Sequence, residues 1–68
     1  MTVFVVIELC NGVLEDVVAY AREEDAITHC TKYNCALGYE VDDEGLIADG
    51  TERDQATHFA AWFEVQVQ

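Results

Sequence analysis

The fold of this chain is decided by residues 2–20, which read TVFVVIELCNGVLEDVVAY. Two runs rich in Val and Ile, 3–9 and 13–20, flank the dipeptide Asn11-Gly12. Asn-Gly is the strongest short-range signal for a two-residue hairpin turn, because both central residues of a type I′ turn need positive φ. The stretch therefore predicts a β-hairpin.

The register of this hairpin follows from counting outward from the turn. Cys10 then faces Val13, and an uninterrupted ladder ends with Val3 opposite Tyr20, so that Glu8 faces Glu15. One face carries Val3, Val5, Ile7, Leu9, Leu14, Asp16, Val18 and Tyr20, and the other carries Phe4, Val6, Glu8, Glu15, Val17 and Ala19. The first face is the more continuous apolar surface, so we expect it to meet the core and the second face to lie outside.

The next segment, 23–37, predicts a helix. Its apolar residues recur at intervals of three and four, acidic residues crowd its first turn, and Gly38 supplies a C-terminal stop. Residues 39–41 and 46–48 flank an acidic turn, which suggests an additional short hairpin at 39–48. From 58 to 67 apolar and polar residues alternate, which favours a terminal strand. A helix over 51–63, with Thr51 as its cap, is the rival interpretation.

These elements predict one small α+β domain over residues 1–68. An antiparallel sheet in ββαβ order would carry one helix packed on one face. If the last strand pairs with the first, Trp62 joins Phe4, Val6 and Val17 on the outer face. Because a solvated sheet face is ordinarily polar, this apolar group predicts a partner-binding or self-association surface.

The charge of the chain is unusually one-sided. Fourteen Asp and Glu stand against three Lys and Arg, which gives a net charge of −11 on 68 residues, although 51% of the chain is hydrophobic. Residues 40–54 hold seven of the acids, and Arg53 is the base among them. Such acidity argues against direct contact with nucleic-acid phosphates or anionic membranes, both of which select Lys and Arg.

Metal, cofactor and catalytic motifs are weak in this sequence. His29, Cys30, Cys35 and His58 are zinc-ligand types at poor spacing, and the run that starts at Glu40 lacks the last ligand of a calcium loop. Phosphate-binding and nucleophile motifs are absent from the sequence. We therefore expect neither a metal, a cofactor nor an enzymatic activity. Three cysteines without an export signal or a membrane-length apolar run predict free thiols in the cytoplasm.

Two functional hypotheses follow. The first is a non-enzymatic protein-interaction module that forms a homodimer through the outer sheet face. The second is an acidic, nucleic-acid-mimicking inhibitor that occupies a basic groove on a nucleic-acid-binding protein. In size and charge the chain resembles small phage-type inhibitors of nucleases and CRISPR complexes. The acidic contacts expected for the second hypothesis are Asp42, Asp43, Glu44, Asp49, Glu52 and Asp54.

Overall fold

The computed structural model describes residues 1–48 and 56–68. Four elements follow one another along the chain: strand β1 (Thr2–Cys10), strand β2 (Val13–Tyr20), helix α1 (Glu23–Ala36) and strand β3 (Phe59–Gln66). The strands form one antiparallel sheet in the order β2-β1-β3, and α1 packs on one of its faces. The α+β class and the ββαβ order are thus confirmed.

The hairpin turn forms at the expected dipeptide. Asn11 has φ 54° and Gly12 has φ 76°, which is the positive pair that a type I′ turn needs. Gly12 also donates its N–H to the Thr57 carbonyl at 2.9 Å, which ties the turn to the approach of β3. The first two pairs of the ladder, Cys10 with Val13 and Leu9 with Leu14, match the expected register.

A β-bulge then changes the register of the rest of the hairpin. Glu8 pairs with Asp16 instead of Glu15, so Glu15 is the extra residue of β2. The Asp16 carboxylate accepts the backbone N–H of Val17 at 3.0 Å beside the bulge. Because side chains alternate along a strand, one inserted residue moves every later side chain of β2 to the opposite face.

The expected assignment of the two sheet faces is wrong. The helix covers the face of Phe4, Val6 and Glu8, and Val6 is completely buried there. The core cluster joins Val6 to Ala26, Cys30 and Ala60, with Phe4, Tyr20, Tyr33 and Trp62 packed around it. The physical reason is that small residues on the helix and β3 allow close approach, while the large aromatic rings fill the margins.

Helix α1 begins and ends much as its sequence predicts. Three acids, Glu23, Glu24 and Asp25, occupy the first turn, where negative charge is favoured by the helix dipole. At the other end Gly38 adopts φ 92°, its N–H bonds to the Cys35 carbonyl, and the Tyr39 N–H bonds to the Asn34 carbonyl. This is the Schellman pattern of hydrogen bonds, and it ends the helix at Ala36, with Leu37 as the C-cap.

Asn34 is the one fully buried polar side chain among the described residues. Its amide nitrogen donates to the carbonyls of Gly45 (2.9 Å) and Ala60 (3.0 Å), and its oxygen accepts the Ala60 N–H at 2.8 Å. One side chain thereby joins the helix, the segment after it and the start of β3. Every donor and acceptor atom of this amide group has a partner, which is the condition for burying it without penalty.

The segment that follows the helix forms a turn and not a hairpin of two strands. Val41 and Ile47 form a single antiparallel bridge, and the Asp42 carboxylate accepts the N–H groups of Glu44 and Leu46. The suggested hairpin at 39–48 is thus a turn closed by one bridge. The rival helix over 51–63 is wrong from residue 59 onward, because β3 begins at Phe59; its start at Thr51 lies outside the described residues.

Gly45 offers a test of how closely this turn packs on the helix. A Cβ at Gly45 would lie 2.7 Å from the Ile27 carbonyl oxygen and 2.8 Å from the Thr31 hydroxyl, and its φ is +79°. Gly45→Ala should therefore lower the free energy of unfolding by about 2–4 kcal/mol, as the sum of left-handed strain and overpacking. Urea denaturation measures this change.

Gly12→Ala is the matched control for that measurement. Its φ of +76° is nearly the same, but nothing lies within 4 Å of the added Cβ. We expect a loss of about 1–2 kcal/mol from strain alone. Equal losses for the two variants would contradict the close packing of the turn on α1.

Candidate functional site

The face of the sheet opposite the helix is apolar along all three strands. The register places one row of side chains on it from each strand. The row members are Val3, Val5, Ile7 and Leu9 from β1, Leu14, Val17 and Ala19 from β2, and Phe59, Ala61, Phe63 and Val65 from β3. None of these paired residues is charged or polar. We call this set the open face.

Several large side chains of the open face are accessible to solvent. Phe63 is 53% exposed, Val17 52% and Leu14 53%, and Val65 is also exposed. An antiparallel sheet with one solvated face ordinarily shows polar residues there. Contiguous exposed apolar patches of this kind mark interaction surfaces in soluble proteins.

The four residues expected to form the apolar binding surface do not lie together. Phe4, Val6 and Trp62 share a face, as expected, with the Phe4 and Trp62 rings edge to face at 6.0 Å, but that face lies under α1. The Trp62 indole also donates to the Glu44 carbonyl at 2.8 Å. Val17 lies on the open face opposite Ile7, because the bulge moved it there. The apolar surface therefore exists, with Val17 alone of the expected residues on it.

Of the residues expected to form the acidic surface, three are described. Asp42, Asp43 and Glu44 are all exposed in the turn that the Asp42 carboxylate organises. Asp49, Glu52 and Asp54 lie outside the described residues. The turn packs on the helix beside Ile27, one helical turn from Glu23 and Glu24. We call Asp42, Asp43 and Glu44 the acidic side.

A chain of three polar side chains crosses the helix-covered face. The Glu8 carboxylate lies 2.5 Å from Nε2 of His29, and Nδ1 of His29 lies 2.8 Å from the Tyr20 hydroxyl. The Tyr20 and His29 rings meet edge to face at 5.7 Å. The side chains of His29 and Glu8 are 17% and 19% exposed, so the chain is mostly shielded from water. One residue from each of α1, β1 and β2 contributes.

A second tyrosine–histidine pair lies one helical turn further along α1. The Tyr33 hydroxyl is 3.0 Å from Nε2 of His58, and the two rings meet edge to face at 5.8 Å. Among the described residues no carboxylate is bonded to His58. Burial, together with the negative charges of Glu8 and Glu15, raises the pKa of the Tyr33 hydroxyl.

The three cysteines are free thiols in different surroundings. Cys30 is fully buried, Cys10 partly buried and Cys35 exposed. Burial, with a smaller contribution from the Glu8 charge, raises the pKa of the Cys30 thiol from 9.0 to about 11. Cys30 is thus a packing residue rather than a reactive one.

Within residues 1–48 and 56–68, no group of three or more His, Cys, Asp and Glu side chains is arranged to hold a metal ion. No helix in the described part of the chain has the length and apolar content needed to cross a membrane.

A comparison of the chain with protein-family models finds no match, and neither does a comparison with curated proteins or with solved structures. Function must therefore be inferred from the residues themselves.

The open face and the bulge could both have been predicted from the sequence. Every second residue of β1 and β3 is apolar on the open face, so the apolar character of this face was visible in the sequence. The bulge also had a signal. An uninterrupted register sets Asp16 against Ile7 on the core face, a conflict that one inserted residue removes. The Glu8–His29–Tyr20 chain had no local signal, because its members are distant in sequence.

The raised pKa of Cys30 predicts a loss of stability in alkali. Below pH 9 the thiol is protonated in both the folded and the unfolded state, so the stability is fully present. As pH rises from 9.0 to about 11 the unfolded state loses its proton first, and the free energy of unfolding should fall. The contribution of this one group is at most about 3 kcal/mol.

Chemical denaturation at a series of pH values measures this effect. Cys35→Ser, which changes an exposed thiol, should keep the alkaline loss, whereas Cys30→Ala should show a smaller one. The same pH dependence in both variants would show that Cys30 is not the source.

Proposed function

We propose that this chain is a small acidic, non-enzymatic interaction module that forms a homodimer through the open face. The observation that supports the proposal is a sheet face on which none of the paired residues is polar or charged, in a molecule of net charge −11. Charged residues are depleted from the centres of protein interfaces, and the paired residues of the open face include none. The free cysteines suit a cytoplasmic setting.

A second copy fits this face better than an unrelated partner does. The surface needs a flat, apolar and uncharged counterpart, and another copy of the chain offers one. A two-fold arrangement would pack sheet on sheet about 10 Å apart and leave the acids on the outside. Across three strands of eight residues the face measures roughly 14 by 27 Å, or about 400 Å² per chain in projection. That size favours a dimer at the weak end of stable interfaces.

Dimer formation would also complete a small core. Four side chains, Val6, Ala26, Cys30 and Ala60, form the buried cluster on the helix side. Domains of this length bury only about 60% of their unfolded surface, and many of them gain stability from association. Packing two open faces together would give the sheet a second apolar layer.

The acidic surface supports a second candidate function. Asp42, Asp43 and Glu44 are exposed, and so are Glu23 and Glu24 in the first turn of α1. Such a surface suits contact with a basic groove on a nucleic-acid-binding protein, in which carboxylates take the place of phosphates. The open face and the acidic side are different surfaces, so one dimer could carry both functions.

Charge placed on the open face should separate the dimer. Phe63→Glu and Val17→Glu each put a carboxylate where the partner's apolar face would lie, and an unpaired buried charge is strongly unfavourable. We expect wild-type protein to sediment with twice the chain mass at micromolar concentration. Each variant should raise the dissociation constant at least about tenfold. Analytical ultracentrifugation over a concentration series measures both.

Leu37→Glu is the matched control for these variants. Leu37 is an exposed apolar residue at the end of α1, away from the open face. It should leave the dissociation constant unchanged. A monomer at every concentration, or an equal effect of Leu37→Glu and Phe63→Glu, would overturn the proposal.

Salt distinguishes the two candidate functions. Two chains of net charge −11 repel each other, so screening should tighten the homodimer as ionic strength rises from about 0.02 M to about 0.5 M. Binding of the acidic side to a basic partner should weaken over the same range. A homodimer that dissociates in high salt would show that its contacts are ionic and not those of the open face.

A further inference from the structure

The groove beside helix α1 contains chemistry that the interaction module does not use. It has a volume of about 500 Å³ and is open to solvent. Its walls are formed by Tyr20, Asp25, Thr28, His29, Lys32 and Tyr33. Tyr20 and His29 line this groove, so the Glu8–His29–Tyr20 chain borders a space that is open to solvent.

The direction of the hydrogen bonds in this chain follows from the chemistry of its members. We assign the hydrogen of a neutral His29 to Nε2, because this nitrogen contacts Glu8 and a carboxylate can only accept. In the neutral imidazole Nδ1 is then an acceptor, and the hydrogen between Tyr20 and His29 belongs to the tyrosine. The Tyr20 hydroxyl thus donates to Nδ1 of His29, and the Glu8 carboxylate fixes the tautomer of that imidazole. Nucleophilic hydroxyls are activated in this way, by a base that a third group orients.

We propose that Tyr20 is a nucleophilic tyrosine that accepts an acyl group from a neutral activated ester, with His29 as its general base and Glu8 as the residue that positions His29. The inference is independent of the homodimer, because the groove and the open face lie on opposite sides of the sheet.

The step conserves atoms and charge. The Tyr20 oxygen attacks the ester carbonyl carbon while its proton moves to Nδ1 of His29. When the donor is an aryl ester, the tetrahedral intermediate then collapses and the bond to the aryloxide leaving group breaks. His29 returns the proton to that aryloxide. The products are an O-acyl tyrosine and a free phenol, with no change of oxidation state.

The surroundings of the groove favour a neutral donor over a phosphorylated one. The chain has a net charge of −11, and Asp25 lines the groove, so an anionic donor such as a nucleotide is repelled. Lys32 lines the groove as well, and its ammonium can attract the oxyanion that develops on an acyl carbonyl.

The other tyrosines provide comparisons within the same molecule. The Tyr33–His58 pair reproduces the contact between hydroxyl and imidazole at 3.0 Å, but it lacks a described carboxylate behind the histidine. The raised pKa of Tyr33 also disfavours its phenolate. Tyr39 lies in the turn after the helix and is partly exposed, so it reports the unassisted reactivity of a tyrosine.

The experiment uses the full chain and 4-nitrophenyl acetate, a neutral activated ester. Peptide mass spectrometry follows the acetylation of each tyrosine over time at pH near 7.5. Tyr20 should be acetylated at least about tenfold faster than Tyr39, because a positioned general base contributes a factor of about 100 or more. In His29→Gln, Tyr20 and Tyr39 should be acetylated at similar rates at the same pH.

The role of Glu8 is tested by the pH dependence of the Tyr20 acetylation rate relative to that of Tyr39. A merely structural role would not change the shape of this pH profile. In Glu8→Gln the advantage of Tyr20 should fall and shift toward alkaline pH, whereas Glu8→Asp should retain part of it. Equal rates for Tyr20 and Tyr39 in the wild-type chain would overturn the proposal. That comparison needs no variant, so a folding defect in a variant cannot obscure it. An advantage of Tyr20 that survives in His29→Gln would overturn the role of His29 as base.

Discussion

One helix can cover only one face of a three-stranded sheet, and both faces of this sheet carry large apolar side chains. Every other feature of the molecule depends on that constraint. The helix covers the face that carries Val6 and Ala60, where small residues allow contact, and the remaining face has no element of the described chain to cover it. Exposing an apolar face to water is unfavourable, and this is the physical basis of the proposed dimer.

The contacts beneath the helix explain why the chain can fold around so small a core. Asn34 binds the turn at Gly45 and the start of β3 through three hydrogen bonds, and the Glu8–His29–Tyr20 chain joins the helix to β1 and β2. Buried polar networks of this kind specify one arrangement of elements when every member is satisfied. None of the described buried side-chain nitrogen or oxygen atoms is left without a partner.

The sequence predicted the elements well and their relative orientation poorly. The Asn11-Gly12 turn, the helix, the terminal strand and the ββαβ order all follow from local patterns. The faces were reversed for two reasons. The extra residue at Glu15 shifts the register of β2, and Glu8 counted as a solvent residue although His29 satisfies it. A local pattern does not contain the second fact, because His29 lies 21 residues away.

The most direct test of the homodimer is an isotope-filtered NOE experiment on a mixture of labelled and unlabelled chains. Such an experiment detects only contacts between different molecules. The dimer predicts intermolecular NOEs that involve the Phe63 ring and the methyl groups of Val5, Ile7 and Val17, with none at the buried Val6. Intermolecular NOEs that arise only from other surfaces, or their absence at millimolar concentration, would contradict the account.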